Sequence, residues 1–212
     1  MKPLSNEEEF RNWYSNFIAN SQIILILGKR RSGKTALGLK LLELKLKSAK
    51  SSNLRAYSYK YPVDLPEVEK ITDIKAVKPD SILFIDEIGI WFPSKRHMKK
   101  KHLTLGELLY LAGQKNITLI GTVQNSLTTD INVIRNIDTL IVKELSLMQL
   151  RTERKFIVDI LENAKDALEF FPPTERNKFA YIYSDQFRGL VQFNLPSFWS
   201  EKYSFPYKVM KL

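Results

Sequence analysis

Large apolar residues in this chain gather into short unbroken runs separated by polar or helical stretches. Ile23-Ile24-Leu25-Ile26-Leu27 and Ile82-Leu83-Phe84-Ile85 lack the polar alternation of a half-exposed strand. Runs of this length and branching suit strands buried on both faces of a parallel sheet. Residues 116–125 hold another β-rich run, and residues 55–59 and 139–143 two more. Helical spacing occupies the intervals. Over Glu7–Ala19, the residues Phe10, Trp13, Tyr14 and Phe17 recur every three or four positions, an amphipathic stripe for the core or a subunit contact. Residues 36–45 and 103–113 read as helices, and 148–171 as one long helical stretch stopped by Pro172-Pro173. The prolines of 61–66 mark a loop. Near the end, residues 179–183 and 190–194 flank 184–189 as a hairpin at the rim of the domain. Alternating strands and helices predict an α/β fold: a mainly parallel central sheet flanked by helices, with an N-terminal helix and a C-terminal β-hairpin.

Composition narrows the class. A chain of 212 residues, 44% hydrophobic, is expected to form one domain with a sizeable core. We divide it into an N-terminal helix (1–20), a nucleotide-binding core (21–145) and a C-terminal helix and hairpin (146–212). The longest apolar runs have about five residues, against roughly 18 for a membrane-spanning helix, so no transmembrane segment is expected. The acidic start Glu7-Glu8-Glu9 does not resemble a secretory signal. With no cysteine and two histidines, disulfides, thiolate sites and histidine-rich zinc sites are excluded. The net charge of +10 points to a polyanionic partner.

The first apolar run leads into Gly28-Lys29-Arg30-Arg31-Ser32-Gly33-Lys34-Thr35, which fits the phosphate-loop pattern G-x-x-x-x-G-K-[ST], and a helix follows with Ala36. Strand, glycine loop and helix N-terminus together make an anion site for a triphosphate. Lys34 is expected to reach the β- and γ-phosphates of ATP, and Thr35 to hold Mg²⁺. The second apolar run ends in Asp86-Glu87. Asp86, at the carboxyl end of its strand, suits the Mg²⁺ hydration shell through a water. Glu87 suits a general base that polarises the attacking water. The third run ends in Gln124; if its strand lies between the other two, that amide faces the γ-phosphate or the attacking water. A guanine-specific site is disfavoured, because the nearest N-K-x-D candidate, Asn177-Lys178-Phe179-Ala180, lacks the aspartate.

These three motifs, in this order and in a chain of this size, resemble the FtsK/HerA superfamily of DNA-pumping ATPases. They are most similar to the compact genome-packaging ATPases of viruses with an internal membrane, including those infecting archaea. The resemblance covers residues 22–145 well and the last third loosely. It implies a RecA-like core, a homohexameric ring and translocation of double-stranded DNA into a preformed capsid, fuelled by ATP. It further implies a capsid-vertex or portal partner, and a place in the host cytoplasm or with the virion. An arginine finger from the neighbouring subunit is also implied, with Arg135 the first candidate and Arg151 and Arg154 its rivals. With no obvious N-terminal barrel or membrane anchor, the chain reads as a minimal motor. The basic run after Trp91, with Lys95, Arg96, Lys99, Lys100 and Lys101, is the candidate DNA loop, since such cations neutralise phosphates without reading sequence. Other readings are a filamentous-phage-type assembly ATPase, a small-molecule kinase, and a nucleotide-dependent DNA-binding module that does not hydrolyse.

Overall fold

The computed structural model describes residues 1–48, 54–92, 105–124, 135–153, 155–204 and 206, and of Leu105 and Phe156 the backbone alone. Among the described residues, nine strands form one sheet in the order β1-β9-β8-β7-β2-β6-β5-β3-β4. Its parallel part holds β7 (Thr139–Val142), β2 (Ile23–Leu27), β6 (Thr118–Val123), β5 (Ser81–Ile85), β3 (Arg55–Tyr59) and β4 (Glu69–Ile71). An antiparallel extension follows on the β7 side, with β8 (Phe179–Ser184), β9 (Arg188–Gln192) and β1 (Lys2–Pro3). The expected hairpin is therefore continuous with the main sheet through the β7–β8 ladder.

The unbroken apolar runs are explained by two covered faces. Ile24, Ile26, Ile82, Phe84, Ile120 and Ile141 point to one side, where they meet α1 (Glu7–Ala19) and α2 (Lys34–Ser48). Leu25, Leu27, Leu83, Ile85, Leu119 and Leu140 point to the other. There they meet α4 (Leu105–Gln114) and α6 (Lys155–Glu169), the latter through Ile157, Leu161 and Ala164. One-residue alternation sends neighbours to opposite cores, so a run of five apolar residues serves both. The α1 stripe is core: Phe10, Trp13 and Phe17 are buried, and Trp13 Nε1 donates to Thr139 Oγ1 at 3.1 Å. A one-turn helix, α3 (Ile88–Trp91), follows β5.

The long helical stretch is two helices, α5 (Leu147–Thr152) and α6. Glu153 adopts extended backbone (φ −75°, ψ 165°) and ends α5, while Ser146 and Gln149 form a capping box at its start. No glycine or proline marks that break, which is why periodicity alone runs through it. Strands β1 and β4, two and three residues long, also escape the sequence pattern.

Among the described residues no helix is long and apolar enough to cross a membrane. The C-terminal segment is tied to α2 by a buried carboxylate. Glu43 accepts hydrogen bonds from Lys40, Lys47 and both the backbone N–H and hydroxyl of Ser197. Burial alone would raise the Glu43 carboxyl, but those four donors together pull it down to about 2. Its stabilisation is thus full above the ordinary carboxylate range and is lost as pH falls toward 2. Glu43→Gln is expected to cost about 2 kcal/mol at neutral pH. In urea unfolding the gap between wild type and variant should close as the pH is lowered from 5 toward about 2.

Candidate functional site

The phosphate loop leaves the carboxyl end of β2 and enters α2 at Lys34. Two left-handed residues shape it, Arg31 (φ 62°) and Gly33 (φ 88°). Alternating backbone hand of this kind turns successive N–H groups toward one concavity, an anion nest. Gly28 is required by close approach: a Cβ there would lie 2.7 Å from Lys143 Cβ and 2.8 Å from Ser32 Oγ. Lys34 is buried, donates to the Lys29 carbonyl at 3.0 Å and stands 3.7 Å from Glu87 Oε1. Burial lowers its pKa, and the charges of Glu87 and Asp86 pull in the other direction.

Strand β6 does lie between β2 and β5, with Leu27 paired to Val123 and Ile85 to Gly121. Asp86 and Gln124 consequently emerge side by side at the carboxyl edge, next to the loop. Thr35 Oγ1 and Thr122 Oγ1 both donate to Asp86 Oδ1, at 3.0 and 2.7 Å. The Glu87 N–H donates back to Thr122 Oγ1 at 2.9 Å. Asp86 is buried, and desolvation, aided by the neighbouring Glu87 charge, raises its pKa to about 6 despite those two donors. Glu87 itself is left-handed (φ 52°, ψ 61°), a conformation that costs a non-glycine residue energy and clusters at functional sites. That turn swings its carboxylate over β6, where Gln124 Nε2 donates to Oε1 at 3.0 Å.

The residues fit a bound triphosphate with Mg²⁺. Ser32 Oγ is buried in the loop without a hydrogen-bond partner among the described residues, and a phosphate oxygen would supply one. Thr35 and Asp86 already converge, one hydroxyl and one carboxylate, the sparse protein donor set Mg²⁺ uses when phosphates and water complete its shell.

Solved structures of other proteins share this fold. The DNA-packaging ATPase from Sulfolobus turreted icosahedral virus superposes with a TM-score of 0.56 at 19% identity, covering 81% of this chain and 97% of that one. The genome-packaging NTPase from Sulfolobus turreted icosahedral virus 2, in complex with ATPγS, gives 0.59 at 16% identity, covering 83% and 98%. ATPases 2 and 3 of EssC from Geobacillus thermodenitrificans give 0.55 at 16% identity, covering 83% of this chain and 40% of that one. This is a RecA-like P-loop ATPase fold. No protein-family model matches the chain. No curated protein matches it either. The P-loop fold agrees with the resemblance read from the three motifs.

Several residues that line or underlie the site were not singled out by sequence. Thr122 bridges Asp86 and Glu87; its signal was its place two residues before Gln124, on the same face of β6. Gln149, in α5, donates its amide to the Gln124 carbonyl. Trp91 Nε1 donates to the Asp86 carbonyl at 3.2 Å. Lys143 is fully buried beneath the loop and donates to the carbonyls of Asn177 (2.8 Å) and Phe179. Burial pushes its pKa down to about 7, with Glu144 pulling it upward.

The two described finger candidates, Arg135 and Arg151, lie at opposite edges of the sheet. Arg135 is exposed and lines a cavity with Asn16, Gln22 and Asp138 at the amino ends of β2 and β7, opposite the phosphate loop. Arg151 is exposed on α5, the helix that touches Gln124. Arg154 and the basic residues Lys95, Arg96, Lys99, Lys100 and Lys101 lie outside the described residues. Gly28→Ala should disturb the loop from behind, since the added methyl meets the Lys143 stem as well as a hydroxyl. The expected cost is about 1–3 kcal/mol of stability. A fluorescent ATP analogue titrated into the variant should show at least tenfold weaker binding.

Proposed function

We propose that this chain is an Mg²⁺-dependent ATPase that drives double-stranded DNA, packaging a viral genome. The observation that carries the reading is the placement of Glu87. Its carboxylate is neither on Asp86's hydroxyl pair nor in solvent, but between the Lys34 ammonium and the Gln124 amide. A carboxylate there can take the proton of a water attacking the γ-phosphate, while Gln124 fixes its rotamer. Lys34 and the loop N–H groups hold phosphate charge in the ground state, and Thr35 and Asp86 hold the cation. Mg²⁺ held by Thr35 and Asp86 would supply positive charge to offset that of the phosphates. Gln124 is also tied through its own carbonyl to Gln149 on α5. Loss of the γ-phosphate would therefore be felt by a helix that carries an exposed arginine.

The fold likeness to a viral DNA-packaging ATPase and a viral genome-packaging NTPase supports the DNA-driving part of the reading, as do the +10 charge and the basic run after Trp91. In a ring of identical subunits, an arginine reaches the site of its neighbour. Arg151 stands on the nucleotide edge, which favours it over Arg135 for that role. Lys95, Arg96, Lys99, Lys100 and Lys101 are the proposed DNA contacts, made to phosphates rather than to bases.

Two substitutions separate the roles. Lys34→Ala should raise the ATP Kd by about tenfold or more, a loss of at least 1.4 kcal/mol. Glu87→Gln should bind ATP within about twofold of wild type and lower kcat by roughly 10²–10⁴, the range of a general base. Near wild-type turnover in Glu87→Gln would remove Glu87 from the base role.

A further inference from the structure

The end of β7 carries two consecutive charged residues that the reaction does not use. Extended backbone sends them to opposite sides. Lys143 runs inward beneath Gly28, places Nζ 4.4 Å from the centre of the Phe193 ring and caps the carbonyls of Asn177 and Phe179. Glu144 turns the other way. Its carbonyl receives the Lys29 N–H at 2.8 Å, and its carboxylate holds Lys29 Nζ at 2.9 Å and Arg176 Nη1 at 3.3 Å. Arg176 in turn donates to the Phe171 carbonyl at 2.9 Å. The 3₁₀ turn Arg176–Lys178 is thus gripped from both sides, and its Asn177 carbonyl faces Gly33 so closely that a Cβ there would stand 3.3 Å away.

Packing alone does not call for a lysine at position 143. The three preceding residues of β7, Leu140, Ile141 and Val142, are buried and apolar, and a methionine would fill the same space without a charge to desolvate. What the ammonium adds is a fixed link from the end of β7, packed beneath the loop, to a turn 34 residues further along the chain. We propose that Lys143 and Glu144 are positioning residues, a clamp that seats the phosphate loop on the 176–178 turn and passes nucleotide occupancy to the β8–β9 hairpin. The proposal rests on the reading of the loop as a nucleotide site. Through the clamp, a triphosphate drawing the loop's N–H groups inward tightens the turn, and the turn begins β8.

The test uses the full chain and Mg²⁺ with a fluorescent ATP analogue for affinity, steady-state hydrolysis for kcat, and hydrogen exchange of residues 171–184 with and without ATPγS. In wild type, nucleotide should slow exchange at 176–184 several-fold. Lys143→Met and Glu144→Gln should raise Kd about tenfold, leave saturated kcat within about twofold, and abolish that distant protection. The kcat is spared because Glu87, Thr122 and Gln124 act from the other side of β2. Lys143→Gln, which keeps an N–H donor for the carbonyls, should recover part of the affinity and protection. If Lys143→Met does not fold, the half-buried Glu144→Gln carries the same readouts. Wild-type Kd and protection in the folded variants, or a matching fall in kcat, overturns the clamp. A wild-type protein that binds no nucleotide overturns instead the nucleotide reading on which it rests.

Discussion

One oxygen of a buried carboxylate joins the three elements of the site. Asp86 Oδ1 accepts the hydroxyl of Thr35 from α2 and that of Thr122 from β6, while Asp86 itself ends β5. Remove that convergence and the phosphate loop, the acidic pair and the amide are three separate strand ends. With it, a shift of the Asp86 carboxylate reaches Thr122, the N–H of Glu87 and so the carboxylate that Gln124 holds. The arrangement is expensive, since burial lifts the Asp86 carboxyl to about 6 and lowers the Lys34 ammonium. Strained and desolvated groups of this kind persist where function needs them preorganised.

The rest of the fold makes that strain tolerable. Apolar layers on both faces of the sheet fix the register of β2, β6 and β5, so the three strand ends stay level. Buried charges outside the site are handled in the same manner. Lys45 caps the Phe17 and Asn20 carbonyls at the end of α1, and Glu43 gathers the donors of α2 and Ser197. Each is paired by hydrogen bonds rather than left to solvent, and each ties a terminal segment to the core.

Much of the candidate site was legible because its residues follow apolar runs. Lys34, Thr35, Asp86, Glu87 and Gln124 follow strands whose pattern announces them, and only the placement of β6 between β2 and β5 required coordinates. Lys143 and Glu144 also end an apolar run, yet their partners, Lys29 and the 176–178 turn, become neighbours only through the β7–β2 and β7–β8 ladders. Local pattern carries no information about such adjacency. The same holds for Arg135, close in sequence to Gln124 but returned to the opposite edge before β7 begins. The break at Glu153 was hidden for a different reason: an extended residue without glycine or proline leaves no mark in the periodicity.

The central claim is that Glu87 works on water and that DNA governs the rate. Phosphate release from Mg²⁺·ATP, followed with and without double-stranded DNA at fixed low salt, tests both at once. The account predicts measurable release by the protein alone and a several-fold rise with duplex DNA that fades as salt is raised, as phosphate contacts require. Transfer of the γ-phosphate to a small acceptor in place of release would indicate a kinase, and tight ATP binding with no release a passive binder. A rate indifferent to DNA at every salt concentration would contradict the account.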